Sequence, residues 1–209
     1  MIIQNQYDNF WKWFKKYSEK LFYYEKNGDV LDELGDELRK INENLTFEFG
    51  PSDNNKRDFT ISADGIQEAF PFVEKLFNAK PLLDKWNVQK FRRRGDLSLV
   101  ITINNFTLYP NDIKYLLFPD KNKIGLLLFI KGFDDNKDKF IDLAYIFLDN
   151  ALGEYDVETK VGVINFCDWT CSKTEVSEYF EQSKSIESFR TDFDNMYKKM
   201  NSFNTPGGC

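Results

Sequence analysis

Residues 9–25, NFWKWFKKYSEKLFYYE, restrict the possible folds more than any other stretch. On a helical wheel Phe10, Trp13, Phe14, Tyr17, Leu21 and Tyr24 fall in one narrow stripe. Trp11 and Phe22 widen it to about half the circumference, and Lys12, Lys15, Lys16, Glu19 and Lys20 take the rest. A helical face that broad and that aromatic must pack on something large, most simply a sheet. Trp11 and Phe22, at its flanks, are candidates for contact with a partner protein, since tryptophan is enriched at interface hot spots.

The remaining pattern supplies the sheet. Asn27-Gly28-Asp29 closes the first helix, and residues 30–42 carry Leu31, Leu34, Leu38 and Ile41 on one side of a second, with Gly35 as its weak point. Strands are expected at 45–49 and 58–62 around a polar loop, then a helix ending near Ala79. Asp64 reads as that helix's N-cap with Gln67 completing a capping box, and Pro71 should break or kink it. A strand follows at 86–92. The second half repeats the order: strands at 113–118 and 124–131, a helix at 139–152 and a strand at 160–167. The strand at 124–131 is apolar on both faces and therefore central. Residues 97–104 alternate as a further, bridging strand. A short helix is expected at 174–180, and Ile186, Phe189, Phe193, Met196, Tyr197 and Met200 mark a last amphipathic one. The expectation is α+β: one domain over residues 1–203, with a mixed, mostly antiparallel sheet built from two strand-strand-helix-strand units (45–92 and 113–167) and flanking helices. Residues 204–209 should form a disordered tail.

Composition removes whole classes of chemistry. The 209 residues contain no histidine, so a Ser-His-Asp triad, a Cys-His dyad and an imidazole metal site are all closed to one chain. Three cysteines, Cys167, Cys171 and Cys209, cannot make a four-thiolate zinc site, and their odd number fits a reducing compartment. With 28 basic against 34 acidic residues the net charge is −6, which argues against nucleic acid as a partner. No apolar run is long enough for a bilayer and no leader pattern opens the chain, so a cytoplasmic protein without membrane contact is expected. Asp134, Asn136 and Asp138 imitate the start of a calcium loop, but Lys139 and Tyr145 occupy the places of its glycine and bidentate glutamate. No phosphate-loop signature occurs. No metal and no cofactor are expected.

The stretch GEYDVETKVGVINF, residues 153–166, is the strongest candidate for a site. Read as a strand, it turns Tyr155, Val157, Thr159, Val161 and Val163 to the core and leaves Glu154, Asp156 and Glu158 on the wet side. Arg92 and Arg94 end the corresponding strand of the first half and share a face by the same parity. Arginine forks bind carboxylates bidentately, so Arg92 or Arg94 is expected to pair with Glu154, Asp156 or Glu158. Such a set can bind a ligand or serve only as an ion-pair network, and the carboxylates can equally stay solvated.

FWKWF (10–14), FEFGP (47–51), ISADG (61–65), Phe70-Pro71 and LGEYDVETKVG (152–162) together resemble a family of uncharacterised bacterial proteins that carry F-W-x-W-F, F-E-x-G-P, I-[ST]-A-D-G and L-G-E-Y-D-V-E-T-K-V-G in this order. The resemblance implies no particular activity. It implies that Glu48, Asp64, Glu154, Asp156 and Glu158 belong to the family's pattern. Two functions are compatible with the sequence: a non-enzymatic protein-binding factor of accessory or immunity type, or a carboxylate-based enzyme or small-ligand protein with the acids facing Arg92 and Arg94 across a cleft.

Overall fold

The structure is a computed structural model, described for residues 3–169 and 177–202. The fold is α+β, with sheets that are mixed and mostly antiparallel. The chain divides into two compact units, Met1–Arg92 and Arg93–Cys209.

In the first unit α1 (Ile3–Phe22) and α2 (Asp29–Arg39) precede β1 (Thr46–Asp53), β2 (Lys56–Ser62), α3 (Phe70–Asn78) and β3 (Trp86–Lys90). The sheet order is β1-β2-β3, with β1 antiparallel and β3 parallel to β2. Asn54 and Asn55, at φ 48° and 60°, turn the hairpin. Two successive positive φ values match the right-handed strand twist, and asparagine tolerates them. Strand β1 runs on through Gly50 and Pro51, expected in a loop, because the register slips between Phe49 and Ser52 and the proline sits in that bulge. Pro71 lies in the first turn of α3, where no N–H is missed, so the expected kink becomes a helix start. Asp64 is not the N-cap of α3, a place held by Ala69: it occupies a left-handed turn at φ 51°, and α3 follows a 3-10 turn over Gln67–Ala69.

The aromatic face of α1 packs on this sheet. Phe14 lies on Phe59 of β2 at 4.8 Å and edge-on to Trp86 of β3 at 5.1 Å. Trp11 donates its indole N–H to the Leu76 carbonyl at 2.8 Å, and Trp86 donates to the Ser18 hydroxyl at 2.8 Å. The centre of the buried face is rotated from the sequence reading. Tyr7, Phe10, Trp11, Phe14, Leu21 and Phe22 are buried, while Trp13 and Tyr17 stack on each other at its margin, 5.0 Å apart.

The second unit contains β4 (Ile101–Ile103), β5 (Phe106–Leu108), β6 (Ile113–Asp120), β7 (Lys123–Ile130), α4 (Lys137–Leu152), α5 (Glu154–Lys160), β8 (Val161–Asp168), α6 (Ser177–Gln182), β9 (Lys184–Ser185) and α7 (Phe189–Ser202). The main sheet has the order β8-β7-β6-β9, with β6 antiparallel and β8 parallel to the central β7. Hairpin, helix and parallel third strand thus recur in both units. Residues 97–104 do not bridge; their last part pairs with β5 in a separate two-stranded hairpin turned by Asn104 and Asn105. Among the described residues three sheets therefore stand where one was expected. Each unit has its own apolar core, the second formed by the inner face of the main sheet, α4 and α7.

The largest correction concerns residues 154–160, which form α5 and not the start of a strand. Gly153 stands at φ 80°, ψ 146°, a conformation essentially reserved for glycine, so α4 stops and a new helix begins at once. In that helix Val157 points inward, Asp156 pairs with Lys160 four residues on at 2.7 Å, and Tyr155, expected in the core, is exposed. Cys171, Cys209, the tail 204–209 and the first residues of the helix expected at 174–180 lie outside the described residues.

Candidate functional site

Arg94 is the hub of the second unit's polar structure. Its fork grips Asp194 of α7 with two bonds of 2.8 and 2.7 Å, and one Nη also reaches Asp156 of α5 at 2.8 Å. Its Nε donates to the Leu152 carbonyl at 3.1 Å. Arg190 of α7 donates to the carbonyls of Ala151 at 2.6 Å and Asn150 at 3.0 Å, and also to Gly95. The last turn of α4 is thereby closed. Gly153 N–H takes the Asp149 carbonyl and Gly95 N–H takes that of Asn150. Two guanidinium groups cover the negative end of the α4 dipole. A Cβ at Gly95 would stand 2.1 Å from Asn150 Oδ1, so any side chain there would make the Asn150 side chain shift.

The charges follow from these contacts. The Asp194 carboxylate holds Arg94 even more firmly protonated than usual, and Arg94 holds the Asp194 carboxyl below the ordinary carboxylate range. Burial lowers Arg190, and the nearby Arg94 charge adds to that effect. Asp156 has both oxygens engaged, one by Arg94 and one by Lys160. An always-protonated arginine between saturated carboxylates neither donates nor accepts protons readily. This arrangement fixes the joint between α4, α5 and α7.

Of the residues singled out in the sequence, the structure brings Arg94 and Asp156 together. Arg92 lies in the first unit, where it meets Asp64 at 2.9 Å and Glu48 at 3.5 Å. Glu154 is buried in the first turn of α5, and Glu158 offers its backbone carbonyl to Lys123 at 2.9 Å. Trp11 and Phe22, the candidate partner contacts, are only 3% and 6% exposed and belong to the first unit's core. Sequence reasoning missed Asp194 and Arg190. They lie on the polar side of α7, about a hundred residues from Arg94, and no local pattern marks them. Among the described residues no cluster of His, Cys, Asp or Glu could hold a metal ion. Asp134 of the calcium-loop look-alike pairs with Lys137 at 3.3 Å. No described helix is long and apolar enough to cross a membrane.

Two concavities lie in the second unit. The smaller, about 260 Å³, is lined by Tyr115, Leu116, Leu117, Lys184, Asp192, Asn195 and Met196. At its base the buried Tyr115 hydroxyl meets Ser188 and Asp192, each at 2.7 Å, and Lys184 caps Asp192 at 2.7 Å. Lys184 and Tyr115 keep Asp192 ionised below the usual range, while burial raises the Tyr115 phenol. A serine beside a carboxylate already held by a lysine lacks a base able to activate it.

The larger concavity, about 470 Å³, is an open groove lined by Leu97, Val100, Tyr109, Pro110 and Ile186, with Ser98 and Asn111 among them and Asp96 and Glu187 as its charged members. Val100 and Tyr109 are 46% and 52% exposed, and Leu99 beside them is 48% exposed. The Ser98 backbone N–H lowers Asp96, and the Ser185 hydroxyl lowers Glu187, so both are ionised at neutral pH. No family model, no curated protein and no solved structure matches this chain.

Proposed function

We propose that this is a non-enzymatic, protein-binding factor of the bacterial cytoplasm, of accessory or immunity type, and that it binds through the groove of the second unit. The observation that carries this reading is the pair of half-exposed apolar side chains, Val100 and Tyr109, lining a concave surface whose charged members are both acidic, with Leu99 exposed next to Val100 in the chain. Large exposed apolar groups gathered at a concavity and rimmed by charge are the usual mark of a contact surface. The matching partner surface offers apolar anchors and at least one lysine or arginine. The carboxylate-enzyme alternative draws no support from the Arg94 network, because its acids are already bonded to Arg94 and Lys160.

The test is crosslinking in cells that express the tagged protein, identification of the captured partner, and measurement of its affinity for wild type and for Tyr109→Ser. The reading expects one purified partner to bind about 30-fold more weakly to the variant, the size of a single aromatic hot spot, and to bind more weakly as salt rises. A partner that binds both forms equally would place the contact elsewhere. Capture of no partner would sink the reading.

A further inference from the structure

The sheet edges differ in how they are protected. Strand β1 carries Glu48, Pro51, Asp53 and a bulge; β3 ends on Lys90; β9 is two residues long and contains Lys184; β4 and β5 have three residues each. These are the ordinary devices against edge-to-edge pairing. Strand β8 has neither a charge nor a proline from Val161 to Phe166, VGVINF. Among the described residues it pairs with β7 alone. Its one irregularity lies near its start, where the ladder shifts between Val161 and Ile164 and the Asp120 carboxylate takes the Val163 N–H at 2.9 Å. From Ile164 onward the register with β7 is regular. The outward side chains Val163 and Asn165 are both exposed.

We infer that β8 is a self-association edge: two copies of this chain pair β8 with β8, antiparallel, about a two-fold axis at Ile164. What an unpaired edge offers is a row of backbone donors and acceptors, so its occupant is an extended strand. The uncharged stretch selects a strand that is also uncharged over the same length. Strand β8 itself meets both conditions. In this register Val163 of one copy faces Asn165 of the other, and Gly162 faces Phe166, so no like charges meet and an aromatic ring covers the glycine. The interface is isologous and closed, giving a dimer with one continuous sheet and no further growth. It is also small, so the dimer is weak and depends on concentration. This surface is separate from the groove and does not depend on the protein-binding reading.

Light scattering on the full chain, from about 1 µM to about 1 mM, covers the range in which a small interface acts. The average mass of wild type should rise toward twice the monomer value. Val163→Lys and Asn165→Lys, both at exposed positions, should raise the dissociation constant at least about tenfold with unchanged circular dichroism, because an edge lysine opposes strand pairing. Hydrogen exchange on wild type alone supplies a second reading: amides within residues 162–166 should become slower at high concentration. A wild type that stays monomeric throughout overturns the proposal, and would leave the edge to a strand from another protein. So does a dimer that survives both lysines, or one that leaves the β8 amides unprotected.

Discussion

Arg94 touches three elements of its unit at once, and its removal would be felt in each. Arg94→Met deletes the pairs with Asp194 and Asp156 and uncovers the Leu152 carbonyl. Hydrogen bonds to charged groups are worth about 1.5–3 kcal/mol each when lost from partly buried sites, and relaxation to solvent recovers part of that. We expect a net loss of about 2–3 kcal/mol in urea unfolding. The acid limb of stability carries the same signature. The Asp194 carboxyl is depressed in the folded state, so its contribution is fully present above the unfolded value of about 3.9 and disappears as pH falls through the lower folded value. Asp194→Asn should therefore lower stability at pH 7 and flatten its fall below about pH 4. An unchanged acid limb would show that Asp194 is not the linked group. At the alkaline end burial raises the Tyr115 phenol above its ordinary value, and Tyr115→Phe should remove a correspondingly late step from the absorbance titration. Of the acids in the resembling motifs, Glu48 and Asp64 are partners of Arg92, and Asp156 is a partner of Arg94. Their place in the motifs thus has a structural explanation that needs no ligand.

At the scale of elements the decisive residue is Gly153. Its backbone conformation separates α4 from α5, and the carbonyls freed there are the ones that Arg94 and Arg190 cover. Gly153→Ala forces a side chain into a region that costs about 1–3 kcal/mol, and we expect a loss of that size with weaker exchange protection in α5 first. If the variant keeps full stability, the break is set by packing and not by the glycine. The strand reading of residues 154–160 failed for a definable reason. Tyr155, Val157 and Thr159 alternate with acids, and over seven residues alternation and helical spacing select overlapping sets. The Asp156–Lys160 spacing of four was the helical evidence within the same residues. Longer elements were legible: α1, α2, β2, β7, α4 and α7 lie within a few residues of where periodicity placed them, apart from the earlier start of α1. The β8 boundary was also right, because a run of β-branched residues follows Lys160.

The molecule as a whole is two contiguous chain segments, each with a sheet and a core of its own. A cavity in one core should therefore weaken that unit first. Leu148→Ala, at a fully buried position of the second core, should cost about 3 kcal/mol there and speed exchange of the β7 amides, while β2 amides of the first unit keep their protection. Equal loss of protection in both units would mean that they unfold as one. One continuous sheet was expected because no Gly-, Ser- or Pro-rich linker separates the halves. The boundary between Arg92 and Arg93 falls inside a run of arginines, in which Arg92 pairs with Asp64 of the first unit and Arg94 with Asp194 of the second.

The sequence by itself determined the α+β class, the strand-strand-helix-strand order in both halves, the amphipathic faces and the absence of imidazole chemistry. Each of these follows from composition or from a periodicity that the local backbone must obey. Only the tertiary structure decided that Trp11 and Phe22 are core, that Arg94 meets Asp156, and that Asp194 and Arg190 join that cluster. Those outcomes depend on which surfaces meet across many tens of residues, and burial and long-range charge pairing leave no periodic trace in the chain.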